Sequence, residues 1–253
     1  MSRLKNEFDA LGEMMEKFQL QFKGGLKFKD TNSKVKKDTT AIKKWDFLEV
    51  ESRKELQPYA INSSLTWEKE IKKNAALRNG KINMDGTVDY LPDIHYFKGE
   101  KILLKKGLQA AEDFKAVAAY STKNIVFTSS VCSIKLEKGA VPKKDLTILL
   151  KSLVGLLNSR FFTYFILNTS SSAGVDRTRA YFEEFLSLPV KYTKQISELV
   201  DKIIDLKNSK AFTLGDQNNI ECVNLQNKIE TLIVNLYSLT EVEQSLIDYA
   251  IDI

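Results

Sequence analysis

Residues 146–167 form the most apolar stretch of this 253-residue chain, and they decide what it can fold into. A run this long must be hidden, either in lipid or in a protein core. Lys151, Asn158, Ser159 and Arg160 interrupt it. Those groups are costly in a bilayer, so the run reads as buried helix and not as a membrane span. The rest of the chain must supply the cover. With 43% hydrophobic and 28% charged residues it has ordinary material for that.

The flanking pattern is helical at both ends and strand-like between. Leu4, Phe8, Leu11, Met14, Met15 and Phe18 recur at helical spacing, which predicts a helix over residues 4–22 ended by Gly24-Gly25. Trp45–Val50 reads as a strand, and Ser64–Leu77 as another helix. Ile102–Leu104 reads as a buried strand flanked by lysines. Ala116–Tyr120 and Ile125–Phe127 read as two arms of a hairpin turned at Thr122-Lys123-Asn124. Cys132, Ile134 and Leu136 alternate with Ser133 and Lys135, a half-exposed strand pattern. Apolar repeats over 198–208 and 220–239 predict two further helices. Thr240 with Glu243 forms a capping box that starts a last one. The expected fold class is α+β: a small mixed β-sheet region with flanking helices and a helical C-terminal tail. The expected segments are 1–90, of uncertain role, a core over 91–190, and a helical region over 191–253.

Charge is unevenly placed. Residues 101–180 carry a balance of +8, whereas residues 191–253 carry −4. A positive region of this kind attracts phosphate backbones through counterion release. It overlaps the turn Ser170–Gly174 with Arg177 and Arg179 beyond it. Hydroxyls, loop amides and guanidinium forks are the donors that bind phosphates and base edges. The plainer reading is a solvated loop between two helices. Tyr96, Phe97, Tyr120, Tyr164 and Tyr181 could stack on bases, or fill a core.

Catalytic constellations are thin. His95 is the single histidine, and Cys132 and Cys222 lie far apart, which reads as two reduced, unconnected thiols. A zinc site needs more ligands. The triplets Asp113-Phe114-Lys115 and Glu70-Ile71-Lys72, with Asp93 near the first, match the acid-x-Lys arrangement of metal-dependent nucleases. In a lysine-rich chain such triplets arise by chance.

An ordered set of blocks resembles the C-terminal target-recognition region of TaqI-like adenine-specific DNA methyltransferases and of the restriction–modification enzymes related to them. These blocks are Lys101–Lys106, Asn124–Ile134, Leu156-Leu157-Asn158-Ser159, the aromatic run Phe161–Phe165, Ser170–Gly174 with Arg177, Leu188-Pro189 and Ile229–Ile247. The resemblance covers roughly residues 95–250. It implies a domain that docks on duplex DNA and contacts a short sequence through Lys98, Lys101, Lys105, Lys106, Ser129, Ser130, Ser171, Ser172, Arg177 and Arg179.

Such methyltransferases hold S-adenosylmethionine on a glycine-rich loop and the target adenine in an Asn/Asp-Pro-Pro-aromatic loop. Here no G-x-G occurs, and Pro58, Pro92, Pro142 and Pro189 are never adjacent. The resemblance therefore implies a recognition part with no cofactor of its own, partnered by a methyltransferase domain or subunit that carries the S-adenosylmethionine. The expected location is cytoplasmic, without a membrane partner. The alternatives are a helical protein-interaction module and a metal-dependent nuclease.

Overall fold

The computed structural model describes residues 2–28, 48–50, 55–62, 88–90, 93–105, 116–169, 182–209 and 217–251. The chain begins with α1 (Ser2–Glu7), α2 (Leu11–Lys17) and β1 (Leu20–Gly24). Short strands β2 (Lys27–Phe28), β3 (Leu48–Val50), β4 (Leu56–Gln57), β5 (Ala60–Ile61) and β6 (Val88–Tyr90) follow. After a 3-10 turn at Ile94–Phe97 come β7 (Lys101–Lys105), β8 (Ala118–Ser121), β9 (Ile125–Phe127) and β10 (Val131–Leu136). The remaining elements are helices: α3 (Leu146–Leu157), α4 (Arg160–Thr169), α5 (Phe182–Leu186), α6 (Lys194–Asn208), α7 (Gln217–Leu236) and α8 (Glu241–Ile251). The expected α+β class is what the molecule has.

The apolar run folds as α3 and α4, bent by 71° at Asn158-Ser159. Among the described residues no single helix is long and apolar enough to cross a membrane. Both halves are core: Leu149, Leu150, Leu153, Leu157, Phe162, Phe165 and Ile166 are buried. The bend has a local cause. The Asn158 amide nitrogen donates to Val154 O, closing α3, and also to Ala118 O on β8 at 2.8 Å. Its oxygen accepts from the Ala118 backbone N–H at 2.9 Å. Ser159 then starts α4, its Oγ accepting from Phe162 N at 3.1 Å. One side chain therefore ends a helix and ties it to the edge strand of the sheet.

That sheet is four-stranded, in the order β1-β10-β7-β8, and every pairing in it is antiparallel. Its first face, with Ile102, Leu104, Ala118, Cys132 and Ile134, packs into the core built on α3, α4, α6 and α7. Gly155 lets α3 cross α6 closely, since a Cβ there would lie 2.6 Å from Ile196 Cγ2. The second face, with Leu103, Ala119 and Val131, is covered by Leu26, Val50, Leu56, Phe97 and Phe127.

Several expectations are corrected here. The helix over 4–22 is two short helices and then strand β1. Leu11 N donates to Leu188 O at 2.8 Å and Ala10 bridges Pro189, which breaks the periodic run. Gln19 then turns the chain with φ +53. β8 and β9 are not a hairpin: β8 joins β7, while β9 runs parallel to β3. Ser133 and Lys135 are buried, not half-exposed, because the second face is covered. The helix expected over 64–77 lies outside the described residues. The capping box is present, with Thr240 N to Glu243 Oε2 at 2.8 Å and Glu243 N to Thr240 Oγ1 at 3.2 Å. Cys132 and Cys222 are both buried and are not joined in a disulfide.

Tyr237 stitches the distant segments together. Its buried hydroxyl donates to Pro189 O at 2.8 Å and accepts from Lys191 N at 3.1 Å. Its ring stacks on Phe161 and meets Phe8 edge-on.

Replacing Asn158 by alanine should lower unfolding stability by about 2 to 3 kcal/mol, because the buried Ala118 N–H loses its acceptor. Denaturant titration of the two proteins measures the difference.

Candidate nucleic-acid interface

Strand β7 divides the candidate residues between two ends of the sheet. At its start sit the turn after the 3-10 helix and the turn between β8 and β9. Gly99 N donates to Asn124 Oδ1 at 3.1 Å. Lys101 Nζ donates to Gly99 O at 2.8 Å and to Lys123 O at 2.6 Å. Lys101 thus acts as an internal clasp: fully buried, its ammonium holds the two turns together and leaves Lys98 and Lys123 pointing to solvent. Burial, with Lys135 on the neighbouring strand, brings its pKa down to about 7. Lys135, whose Nζ donates to Glu100 O at 3.2 Å, is also lowered by burial.

The other end carries Lys105 and the turn Thr128–Ser130. Lys105 stands opposite Val131, the residue after Ser130, so Lys105 and the Ser129–Ser130 pair are neighbours. Ser129 is exposed, Ser130 half-buried and Lys105 buried. The turn is fixed from below. Gly25 N donates to Val131 O at 3.1 Å and Leu26 N to Phe127 O at 2.8 Å. A Cβ on Gly25 would lie 2.2 Å from both Phe127 O and Thr128 O, so no other residue fits that approach. Thr128 Oγ1 and Ser130 Oγ are 2.9 Å apart and share a hydrogen bond, with Ser129 exposed between them.

The structure therefore groups Lys105 with Ser129 and Ser130, and sets Lys98 beyond the opposite end of β7, which spans about 13 Å from Lys101 to Lys105. Burial takes the Lys101 ammonium out of reach of a phosphate. Lys106, Ser171, Ser172, Arg177 and Arg179 lie outside the described residues, as do Tyr181 and both acid-x-Lys triplets. Among the described residues no cluster of three or more His, Cys, Asp or Glu is placed to hold a metal.

The aromatic candidates fall mostly in the core. Phe97 is buried against Phe127, Tyr96 is buried and donates to Gln21, and Tyr120 donates to Glu100 at 2.7 Å. His95 uses Nε2 to bond Leu136 O at 2.8 Å, a structural tie.

Residue patterns alone missed the lysines that share the Lys98 end. Lys123, Lys138, Lys143 and Lys144 are all exposed there. Lys138 is paired with Asp93 at 2.8 Å, and Lys143 donates to Lys17 O. Their signal was the turn chemistry itself, lysine within Thr122–Asn124 and beside Gly139 and Pro142. Only the pairing of strands could show that these turns meet.

The lowered Lys101 gives a pH dependence of known sign. Below about pH 7 the ammonium is charged in both folded and unfolded chains. Between that and its ordinary value the unfolded chain binds the extra proton, so stability rises with pH. Above pH 10 the buried Tyr59 and Tyr237, raised by desolvation, reverse the trend. Thermal unfolding should therefore move up between about pH 7 and 9. A Lys101→Met variant should flatten that rise.

The profile of the TaqI-like C-terminal specificity domain matches residues 52–190. No curated protein matches the chain. Among solved structures, the Type IIL restriction-modification enzyme MmeI in complex with DNA aligns at 14% identity with a TM-score of 0.42. The alignment covers 72% of this chain and 23% of that one, so the chain spans under a quarter of that enzyme's length.

Proposed function

We propose that this chain, which belongs to the family of TaqI-like C-terminal specificity domains, is the DNA-recognition part of a restriction–modification system. It docks on duplex DNA and reads a short sequence, so that a methyltransferase domain or subunit can act on an adenine nearby. The observation that carries this reading is the family match over residues 52–190. The +8 balance over residues 101–180, with Lys123, Lys138, Lys143 and Lys144 in exposed turns, supports it. Lys98 and Ser129 would meet the duplex, joined by Lys106, Ser171, Ser172, Arg177 and Arg179. The lysines grip phosphates, which sets position; hydroxyls and guanidinium groups are the groups able to read base edges. Lys101 and Lys105 would act from beneath, holding the turns in place. S-adenosylmethionine would sit on the catalytic partner, and the pair would work in the cytoplasm.

A second reading, a helical protein-interaction module, has one observation in its favour. Val242, Leu246 and Tyr249 form an exposed apolar stripe on α8. Salt dependence separates the two. With about five phosphate contacts, the affinity for duplex DNA should fall with a log–log salt slope of roughly −4 to −5. No binding at low salt would favour the protein-interaction reading.

Arg177 and Arg179 give the sharper test. Alanine at a base-reading arginine should cost about 1–3 kcal/mol and relax sequence preference. Alanine at a phosphate-gripping one should weaken all sequences alike and flatten the salt slope by about one unit. Unchanged DNA affinity in the folded double variant would remove both from the interface.

A further inference from the structure

The turn that leads into β7 has a bare side. Gly99 holds φ at +56, in the left-handed region that favours glycine. Among the described residues, a Cβ there would meet one atom within 4 Å, the Lys135 Nζ at 4.0 Å. Lys135 is buried as a residue, yet its ammonium borders the open space beside Gly99. Its one hydrogen bond among the described residues goes to Glu100 O at 3.2 Å, and an ammonium carries three donors.

Three more lysines surround this turn. Lys98 precedes Gly99, and Lys123 lies in the turn that Lys101 clasps to it. Lys98 and Lys123 are exposed, and among the described residues neither has a carboxylate partner. Lys101 lies beneath, with its bonds to Gly99 O and Lys123 O. The carboxylates in reach are engaged elsewhere. Asp93 pairs with Lys138 at 2.8 Å. Glu100 accepts from Tyr120 and from Thr147, both at 2.7 Å, and Tyr120 stands opposite Ile102 of the first face. The Glu100 charge is felt at Lys135 but does not offset burial, which holds that ammonium below its ordinary pKa. An anion brought in from outside would restore the balance.

We propose that the bare side of Gly99 is a seat for one phosphate-type oxyanion, held by the ammonium groups of Lys98, Lys123 and Lys135. A tetrahedral oxyanion offers acceptor oxygens in several directions, so it can meet three cations placed around a turn. Lysine stems are long and flexible enough to bring the two exposed ammonium groups over Gly99. The seat rests on the DNA reading only for the source of its ligand, a backbone phosphodiester of the duplex; free phosphate is the other source.

Nitrogen–proton correlation spectra of the full chain, with rising inorganic phosphate at constant ionic strength, test the seat without DNA. Chloride is the control. The Gly99 amide should shift saturably with phosphate, with a dissociation constant in the millimolar range. Lys135→Met should weaken that binding about tenfold, and so should the Lys98→Gln/Lys123→Gln double variant. The double variant alters exposed side chains alone, so it tests the seat even if Lys135→Met fails to fold. With duplex DNA, folded Lys135→Met should flatten the log–log salt slope by about one unit. Phosphate binding without any DNA binding at low salt would keep the seat, assign it to free phosphate and overturn the DNA reading. DNA binding with no phosphate shift at Gly99 would overturn the seat and leave the DNA reading standing. Unchanged phosphate affinity in the folded double variant, or an equal shift with chloride, would also overturn the seat.

Discussion

The carboxamide of Asn158 joins the two halves of this molecule. The apolar run around it must be buried, but a straight helix of that length would pass beyond the sheet it has to cover. Asn158 ends the helix and takes both backbone groups of Ala118 on β8. The edge of the sheet is thereby occupied from the helical side, where an open edge would invite a foreign strand. Ser159 starts the next helix at once, so the turn costs little hydrogen bonding. Phe161 and Phe162 then point into the core, onto Tyr237 and Phe185.

Covering both faces of a small antiparallel sheet has a cost, and Lys101 shows it. Its position at the start of β7 forces its stem inward, and desolvation works against its charge. The ammonium remains because two carbonyls from two different turns converge on it. A buried cation bonded in this way is a poor source of stability but a strong constraint on geometry. It fixes the turns that carry Lys98 and Lys123. At the far end Gly25 does the same for Thr128–Ser130 by steric means, letting backbone touch backbone. Both ends of the sheet therefore present polar groups on a rigid frame.

The helical tail belongs to the same core as the first helix. Leu4, Leu11, Ile229, Ile233 and Tyr237 share one apolar cluster. Arg3 reaches Glu243 and the carbonyl of Ser238, joining the two ends of the chain. Leu188-Pro189 lies between, its carbonyls taken by Leu11 N and the Tyr237 hydroxyl. The LLNS and LP blocks of the family pattern are thus structural in this chain: they hold helices and sheet together.

What the sequence determined by itself was local. It set the apolar run as core, the strands at Ile102–Leu104 and Cys132–Leu136, the capping box at Thr240 and the α+β class, since each rests on spacing or on a cap within a few residues. The ordered blocks also carried the family. Tertiary structure decided what depends on distant partners. It split residues 4–22 into helix and strand because Leu188 and Pro189 bond to that segment. It sent β8 and β9 to different partners, and it buried Lys101, Lys105, Ser133 and Lys135 under a second apolar layer. Alternation along a strand tells which residues share a face. Whether that face meets water depends on residues far away in the chain, here Leu26, Val50 and Phe127, and no local pattern records them.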